Sequence, residues 1–558
     1  MLHLSKIMKR LSYLCFILAG SLFAQQPADT LNVKSNGAVG DGTTDDTEAI
    51  NNTITKAHAE GKVVYFPSGQ YKITSQVTLM DGVNCYGDAS GVSIIKASSK
   101  IVFGHPDKSQ SLKNVEIKDL FFMNTRLDIV GASKDNITIR QCVFACAITN
   151  INTSATGNLT NFRGKNSSFD CCIFLCQDNS WNQKGLTTYS CQNLTVQHCI
   201  FGLDLGNLNW LSTEWSGYSN WKNPALRLES FRSSQGLNKR MGALRGAIRF
   251  NEDDGVICYS NILNFDPVFC STDQSLPEDQ RPDIDHVIYA TQVKNLEFVS
   301  NWVRGQPNSP AGGFKHRNTN GPGVVAANYF HDTPIILYSY TGDLNQFENQ
   351  LIYRNWLKVT TPLSEFQRNS ISYYPNNDNA TETDIQIAQN TFECADGFSN
   401  ININNKADRQ EFKIYRSNVF SPSGTVVPIN NNDASYTSGN PPSSLTSPYD
   451  GCTVPVLNIP EYCDPTGSIY KSNNAMKTAF NISRVKPNGF CLMSPATIVV
   501  DITIYSVKGS IVQTIDRRNL RANNESFITI SKRLPNGVHF ITVRGENCNQ
   551  ISKIIIRQ

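Results

Sequence analysis

Charge is the first scarcity. Only 17% of the 558 residues are Asp, Glu, Lys or Arg, and 50 basic against 47 acidic side chains leave a formal net charge of +3. No run of Lys and Arg forms a basic patch, which argues against a nucleic-acid partner. Long apolar runs are scarce too. The stretch Leu11 to Phe23 is too short to span a bilayer, and nothing later approaches the required length. Length adds a further exclusion, because a chain of 558 residues is too long for one ordinary compact core.

What is present begins at the N-terminus. Lys6, Lys9 and Arg10 precede the apolar stretch, and Ala24 closes it before Gln25 and Gln26. A basic segment, a short apolar core and a small residue at the break describe a secretory signal peptide over residues 1–24. Cys15 lies inside the apolar run rather than just after it, so no lipoprotein anchor is expected. Asn, Ser and Thr are abundant, as suits an extracellular, turn-rich repeat. The chain holds 16 Cys. In an exported protein these suggest disulfides, but several recur at repeat-equivalent positions, where stacked buried thiols are expected instead. A bridge is expected for Cys452 and Cys463.

The middle of the chain repeats loosely. Cys142-Val-Phe144, Cys172-Ile-Phe174 and Cys199-Ile-Phe201 give way to Asn261-Ile-Leu263, Asn301-Trp-Val303, Asn328-Tyr-Phe330, Asn355-Trp-Leu357, Asn390-Thr-Phe392 and Asn418-Val-Phe420. Most intervals lie close to 27–30 residues, and each unit carries short alternating strands such as Asn136 to Arg140. No unit could bury its apolar face alone, whereas stacked units bury a continuous one. Period, strand length and an internal Asn at each turn predict an all-β fold, a right-handed parallel β-helix over residues 25–430. Stacked Asn side chains can satisfy turn backbone that burial would leave unpaired. A β-sandwich or propeller is the alternative, but propeller blades are longer and carry motifs not found here.

The mature N-terminus sharpens the fold. Val33 to Ile50 contains Gly40-Asp-Gly-Thr-Thr-Asp-Asp46, and Val64-Tyr-Phe-Pro-Ser-Gly-Gln-Tyr71 follows. Thr43 or Thr44 is expected to cap a helix with Asp45, Asp46 and Glu48 in its first turn. That helix would close the open end of the coil. This stretch resembles the N-terminal part of the pectate-lyase-superfamily β-helix proteins. The resemblance implies fold more than chemistry, since that superfamily includes lyases, glycoside hydrolases, epimerases and tailspikes. At the other end, residues 479–558 alternate in short apolar runs separated by Lys508-Gly509 and Pro535-Asn-Gly537. This predicts a small β-sandwich. Tyr505-x-x-x-Gly509 and Leu534-Pro-x-Gly537 with Val543 resemble the C-terminal sorting domain of the type IX secretion system. The resemblance implies the secretion machinery as a partner and a cargo released or held at the cell surface. Residues 431–478, rich in Ser, Pro, Asn and Gly, read as a linker or cap.

Aligning coils on the Asn ladder brings five segments into succession: Arg249 to Asp254, Asp285 to Tyr289, Gly313 to Asn318, Leu337 to Tyr340 and Ser372 to Tyr374. Alternation points Phe250 and Phe314 inward, and Arg249, Asn251, Lys315 and Arg317 outward, with His286, Tyr340 and Tyr374 on the same strip. His316 is expected to face inward. That set suits β-elimination on a uronic-acid polysaccharide. A cation neutralises the carboxylate, a base removes the C5 proton, and an acid protonates the leaving oxygen. Lys315 or His286 is the candidate base, Arg317 and Arg249 the clamp, and Tyr340 the acid. Tyr374, Trp210 and Trp215 are candidate sugar contacts, with Trp221 beside them. Glu252 and Asp254 could hold calcium. They also supply the rival reading, a β-helix glycoside hydrolase with paired carboxylates. A non-catalytic surface glycan-binding protein is the third. The Asn-Thr-Asp, Gly-His-Gly and Arg-Ile-Lys strings of polygalacturonases are missing, with only Asp253-Asp254 present. An acidic polysaccharide is the expected substrate, and a monomer the expected state.

Overall fold

The computed structural model describes residues 29–131, 133–147, 157–176, 183–237, 240–241, 246–264, 286–305, 313–317, 322–339, 346–359, 370–375, 381–394, 401–403, 412–430 and 436–438, and beyond these chiefly strands between 481 and 556. Residues 1–24 and almost all of 431–478, with Cys452 and Cys463, lie outside the described residues.

Strands far apart in sequence pair in parallel, coil upon coil. One sheet has fourteen strands, running from Thr30–Asn32 to Tyr436–Thr437. A second ladder passes through Val143–Cys146, Ile173–Cys176, Ile200–Phe201, Ile262–Asn264 and Trp302–Arg304. A third passes through Gln183–Thr188, Gly246–Asn251, Ile288–Thr291, Phe314–Arg317, Ile335–Ser339 and Ile371–Pro375. Each coil contributes one strand to each face, which is the parallel β-helix that the repeat predicts.

The interior follows from alternation, because successive side chains on a strand point to opposite faces. Phe122, Phe144, Phe174 and Phe201 stack along the axis with ring centroids 5.0, 5.1 and 4.5 Å apart. Each buried ring contributes roughly 1.5–3 kcal/mol of hydrophobic stabilisation. The inner turn changes chemistry partway along. Cys142, Cys172 and Cys199 are free, fully buried thiols in its early coils. From Asn261 onward a ladder of amides replaces them. Asn301 Oδ1 accepts from Asn261 N (3.0 Å) and Nδ2 (2.9 Å), and the pattern repeats through Asn328, Asn355, Asn390 and Asn418. Each Nδ2 also donates to a strand carbonyl, as Asn328 does to Phe298 O (2.8 Å). Buried amides that would be costly alone are thus satisfied by the next coil.

The N-terminal helix spans Thr47–Glu60 and buries Ile50, Ile54 and Ala57. It starts later than expected. Thr43 and Thr44 belong to the preceding strand, Asp41–Asp45, where both backbone N–H groups donate to Asp41. Asp46 precedes the helix, and its carboxylate turns back to accept from Val39 and Gly40. Short-range acceptors at Asp41 and Asp46 out-compete the proposed cap.

An insertion between Leu205 and Leu237 carries helices Leu211–Glu214 and Pro224–Gln235. It lies on the outer face of the second ladder, over Phe121, Val143, Ile173 and Ile200. Arg227 anchors it. This fully buried guanidinium meets Asp119 at 2.8 Å and packs over the rings of Phe121 and Trp221. Near the C-terminus, antiparallel strands form a three-stranded and a four-stranded sheet, with Leu492, Ile502, Ile504, Ile528 and Ile541 buried.

Candidate active site

The strand Phe314–Arg317 sets the site. Phe314 and His316 are buried within the coil, so Lys315 and Arg317 face out. Phe250, on the strand Gly246–Asn251, is fully buried, which turns Arg249 and Asn251 out. Backbone register then places one outward residue beside the next. Arg249 pairs with Tyr289, and Tyr289 with Lys315. Two residues along, Asn251, Thr291, Arg317, Tyr338 and Tyr374 form an adjacent row. Parallel strands lie about 4.8 Å apart, so Arg249 and Lys315 stand on the order of 10 Å from each other.

The side chains interlock. Arg317 Nη1 donates to Tyr289 Oη (2.8 Å). Lys315 Nζ lies 4.2 Å from the Tyr338 ring centroid and 5.7 Å from that of Tyr289. Arg249 stacks over Tyr289 at 5.2 Å, and its Nε donates to Asn251 Oδ1 (2.9 Å). Asn251 Nδ2 in turn donates to Thr188 O (2.8 Å). Three cations are therefore held against two phenol rings, an arrangement that attracts carboxylates and keeps long side chains from wandering. Past Lys315 the first row closes over, since Ile336 and Ser372 are buried. The second row stays half-buried at Arg317, Tyr338 and Tyr374.

Lys315, Arg317, Arg249 and Tyr374 fall on one outward strip as expected. His286 stands beside it but is 8% exposed, with its ring stacked on Tyr289 at 5.3 Å. That packing makes it a support for Tyr289 rather than an open base. His316 is buried as expected, and burial pushes its pKa down to about 3. Tyr340 lies outside the described residues.

One expectation fails. Trp210 and Trp215 are not sugar platforms. They are 7% and 3% exposed, Trp221 is buried with them, and all three pack into the apolar cluster beneath the insertion. Their indole N–H groups are used on the coil, Trp215 Nε1 donating to His198 O and Trp221 Nε1 to Cys171 O (both 2.9 Å). Unbroken apolar runs such as Leu120 to Met123 and Ile173 to Cys176 signalled this, because strands covered on both faces lose their alternation. Glu252 and Asp254 stand at the turn that leads into the first sheet. They flank Asp253, which points into the core and accepts from Cys191 N (2.7 Å) and the Thr188 hydroxyl. Glu252 meets Ser190 Oγ, while Asp254 opens a strand of the first sheet and accepts from Asn295 Nδ2 (2.6 Å). Among the described residues the two are not part of any group of three converging acids, His or Cys.

Tyr289 and Tyr338 were missed, although both sit in the segments aligned above. Counting from buried Leu337 puts Tyr338 outward, and counting from buried Ile288 does the same for Tyr289.

Fold and strip together define a parallel β-helix with a basic, phenol-lined outer face. More particularly, residues 30–216 match the rhamnogalacturonase A/epimerase, pectate lyase-like family, and residues 476–557 match the secretion system C-terminal sorting domain. The chain thus joins a pectate-lyase-like β-helix to a sorting domain that marks it for export, to the cell surface or beyond. It is similar to alginate lyase 7 of Azotobacter vinelandii, 45% identical over 73 residues, covering 12% of this chain and 8% of that protein. A glucan 1,3-beta-glucosidase of Cochliobolus carbonum is 36% identical over 58 residues, covering 10% of this chain and 7% of that protein. The chain therefore matches under a tenth of the length of these relatives. Among solved structures, PfbA, a surface adhesin of Streptococcus pneumoniae, is 14% identical, covering 70% of this chain and 90% of that chain with a TM-score of 0.47.

Proposed function

We propose that this protein is an exported carbohydrate-active enzyme that cleaves a uronic-acid polysaccharide by β-elimination on the Arg249–Tyr374 strip. The observation that carries the reading is the register of Arg249, Tyr289 and Lys315 beside Arg317, Tyr338 and Tyr374. Arg249 and Arg317 neutralise the substrate carboxylate, which stabilises negative charge as the C5–H bond breaks. Lys315, in its neutral amine form, takes that proton. The electron pair forms the C4–C5 double bond, and the glycosidic oxygen leaves C4 with a proton from a phenol. Tyr289 fits the acid role. Its oxygen already accepts from Arg317, which directs its own proton toward another acceptor. Tyr338 and Tyr374 offer ring faces to neighbouring sugars.

The similarity to an alginate lyase supports this reading, as does a family description that includes pectate lyase-like proteins. Hydrolysis requires two carboxyl groups across the scissile bond, and Glu252 and Asp254 are held at a turn and on a different sheet. The test is a panel of alginate, pectate and chondroitin followed by ultraviolet absorbance of the unsaturated product. A lyase yields that chromophore on at least one polymer. Reducing ends without it would establish hydrolysis, and gel retardation without any cleavage would establish an adhesin; either outcome ends the proposal.

A further inference from the structure

A second cluster lies at the turn from the first sheet to the second, under the helical insertion. Asp170, Cys171 and His198 each bring one ligand atom within 4.8 Å of the others. Asp170 Oδ1 is 3.2 Å from His198 Nδ1 and 3.3 Å from Cys171 Sγ. Zinc bonds of about 2.0 Å to oxygen and nitrogen and about 2.3 Å to sulfur, at tetrahedral angles, give ligand edges of roughly 3.3 Å (O to N) and 3.5 Å (O to S). The two edges at Asp170 are close to these values, and the third pair of ligand atoms lies within 4.8 Å. A fourth group is in place, since the Asn220 amide from the insertion lies 3.3 Å from Cys171 Sγ. Turning that amide over would present its oxygen instead of its nitrogen.

Cys171 and His198 occupy equivalent turns of consecutive coils at φ 54° and 53°. The same turn is left-handed on other coils as well, at Gln141, Ser260, Ser300, Ala327, Arg354 and Gln389. The cluster is not arranged as a nucleophile with its base. Cys171 and His198 both meet Asp170, not each other, and the thiol is buried, with burial raising its pKa.

We propose that Asp170, Cys171 and His198 form a structural zinc site, completed by Asn220 or a solvent molecule, that staples the insertion to the coil. A thiolate, an imidazole and a carboxylate are the donor set of zinc. Binding releases the Cys171 thiol proton and requires the Nδ1 lone pair of His198, so affinity rises with pH. The insertion then has three ties to the same two residues, counting the indole bonds to Cys171 O and His198 O.

The full chain, stripped with a chelator and dialysed against micromolar zinc, should retain one zinc per molecule. Cobalt(II) in its place should show a thiolate charge-transfer band. Cys171→Ser should abolish that band, and either it or His198→Gln should weaken zinc binding by at least about 100-fold. Should a variant fail to fold, alkylation of the wild-type chain still decides, with zinc protecting Cys171 in peptide mass spectra. A wild-type chain that retains no zinc, unaltered zinc affinity in both variants, or Cys171 alkylated equally with and without zinc would overturn the site. Polysaccharide cleavage plays no part in these readouts.

Discussion

Two outer faces of the same coil have been put to opposite uses. On the second ladder, the early coils turn Ile94, Phe121, Val143, Ile173 and Ile200 outward in one continuous register, and the insertion covers them. On the third ladder, the later coils turn out Arg249, Tyr289, Lys315, Arg317 and Tyr338. Backbone, spacing and inward residues follow one plan in both. Alternation decides which side chains leave the core, but only their chemistry decides whether that face becomes a second core or a site. The comparison also locates the stability. The covered face holds a buried ion pair and three indoles, whereas the polar strip adds cations that the fold does not need.

The comparison can be broken first at the strip. Lys315→Ala should lower kcat/KM by about 10²–10⁴-fold, the usual worth of a positioned base, while leaving the urea unfolding midpoint unchanged. A stability loss matching the activity loss would make Lys315 structural. The covered face should behave in the opposite way. Arg227→Ala removes the closer of two cations beside the buried Asp119 carboxylate, leaving Lys118 at 3.5 Å, and should cost about 3–5 kcal/mol in denaturant unfolding, with kcat preserved in the folded fraction.

A third prediction concerns pH. Burial raises the Asp253 carboxyl to about 7, from about 4 in an unfolded chain. The folded state therefore holds the proton more tightly. Its contribution is complete below about pH 4, declines as pH rises, and is lost through about pH 7. Unfolding measured across that window should show a fall on the order of a few kcal/mol, and Asp253→Asn should flatten it. The smallest effect is expected in the ladder. Asn328→Ala leaves backbone groups without partners and should cost about 1–3 kcal/mol, with the activity of the neighbouring strip largely retained.

Much of this was legible in the chain, and for a physical reason. The change from Cys142, Cys172 and Cys199 to Asn261 and its successors marks an inner turn, where one buried position must be filled on every coil. That repetition fixes register, and register brought Arg249, Lys315 and Arg317 together. Tyr289 and Tyr338 needed only the same two-residue count from a buried neighbour. What failed was whatever depends on segments outside the repeat. Trp210 and Trp215 looked like exposed aromatics because their loop carries no period, and only the apolar outward row across from them reveals what they cover. Asp46 likewise reads as a helix-turn acid until its contacts with Val39 and Gly40 are seen.

The central claim is that one strip of outward cations and phenols receives an acidic sugar chain. The most direct measurement is the structure of Tyr289→Phe, slowed in its proton donation, soaked with a uronate tetrasaccharide. The account predicts a sugar carboxylate between Arg249 and Arg317 with its C5 toward Lys315. An oligosaccharide seated on the insertion, on the first sheet, or on Glu252 and Asp254 would contradict it.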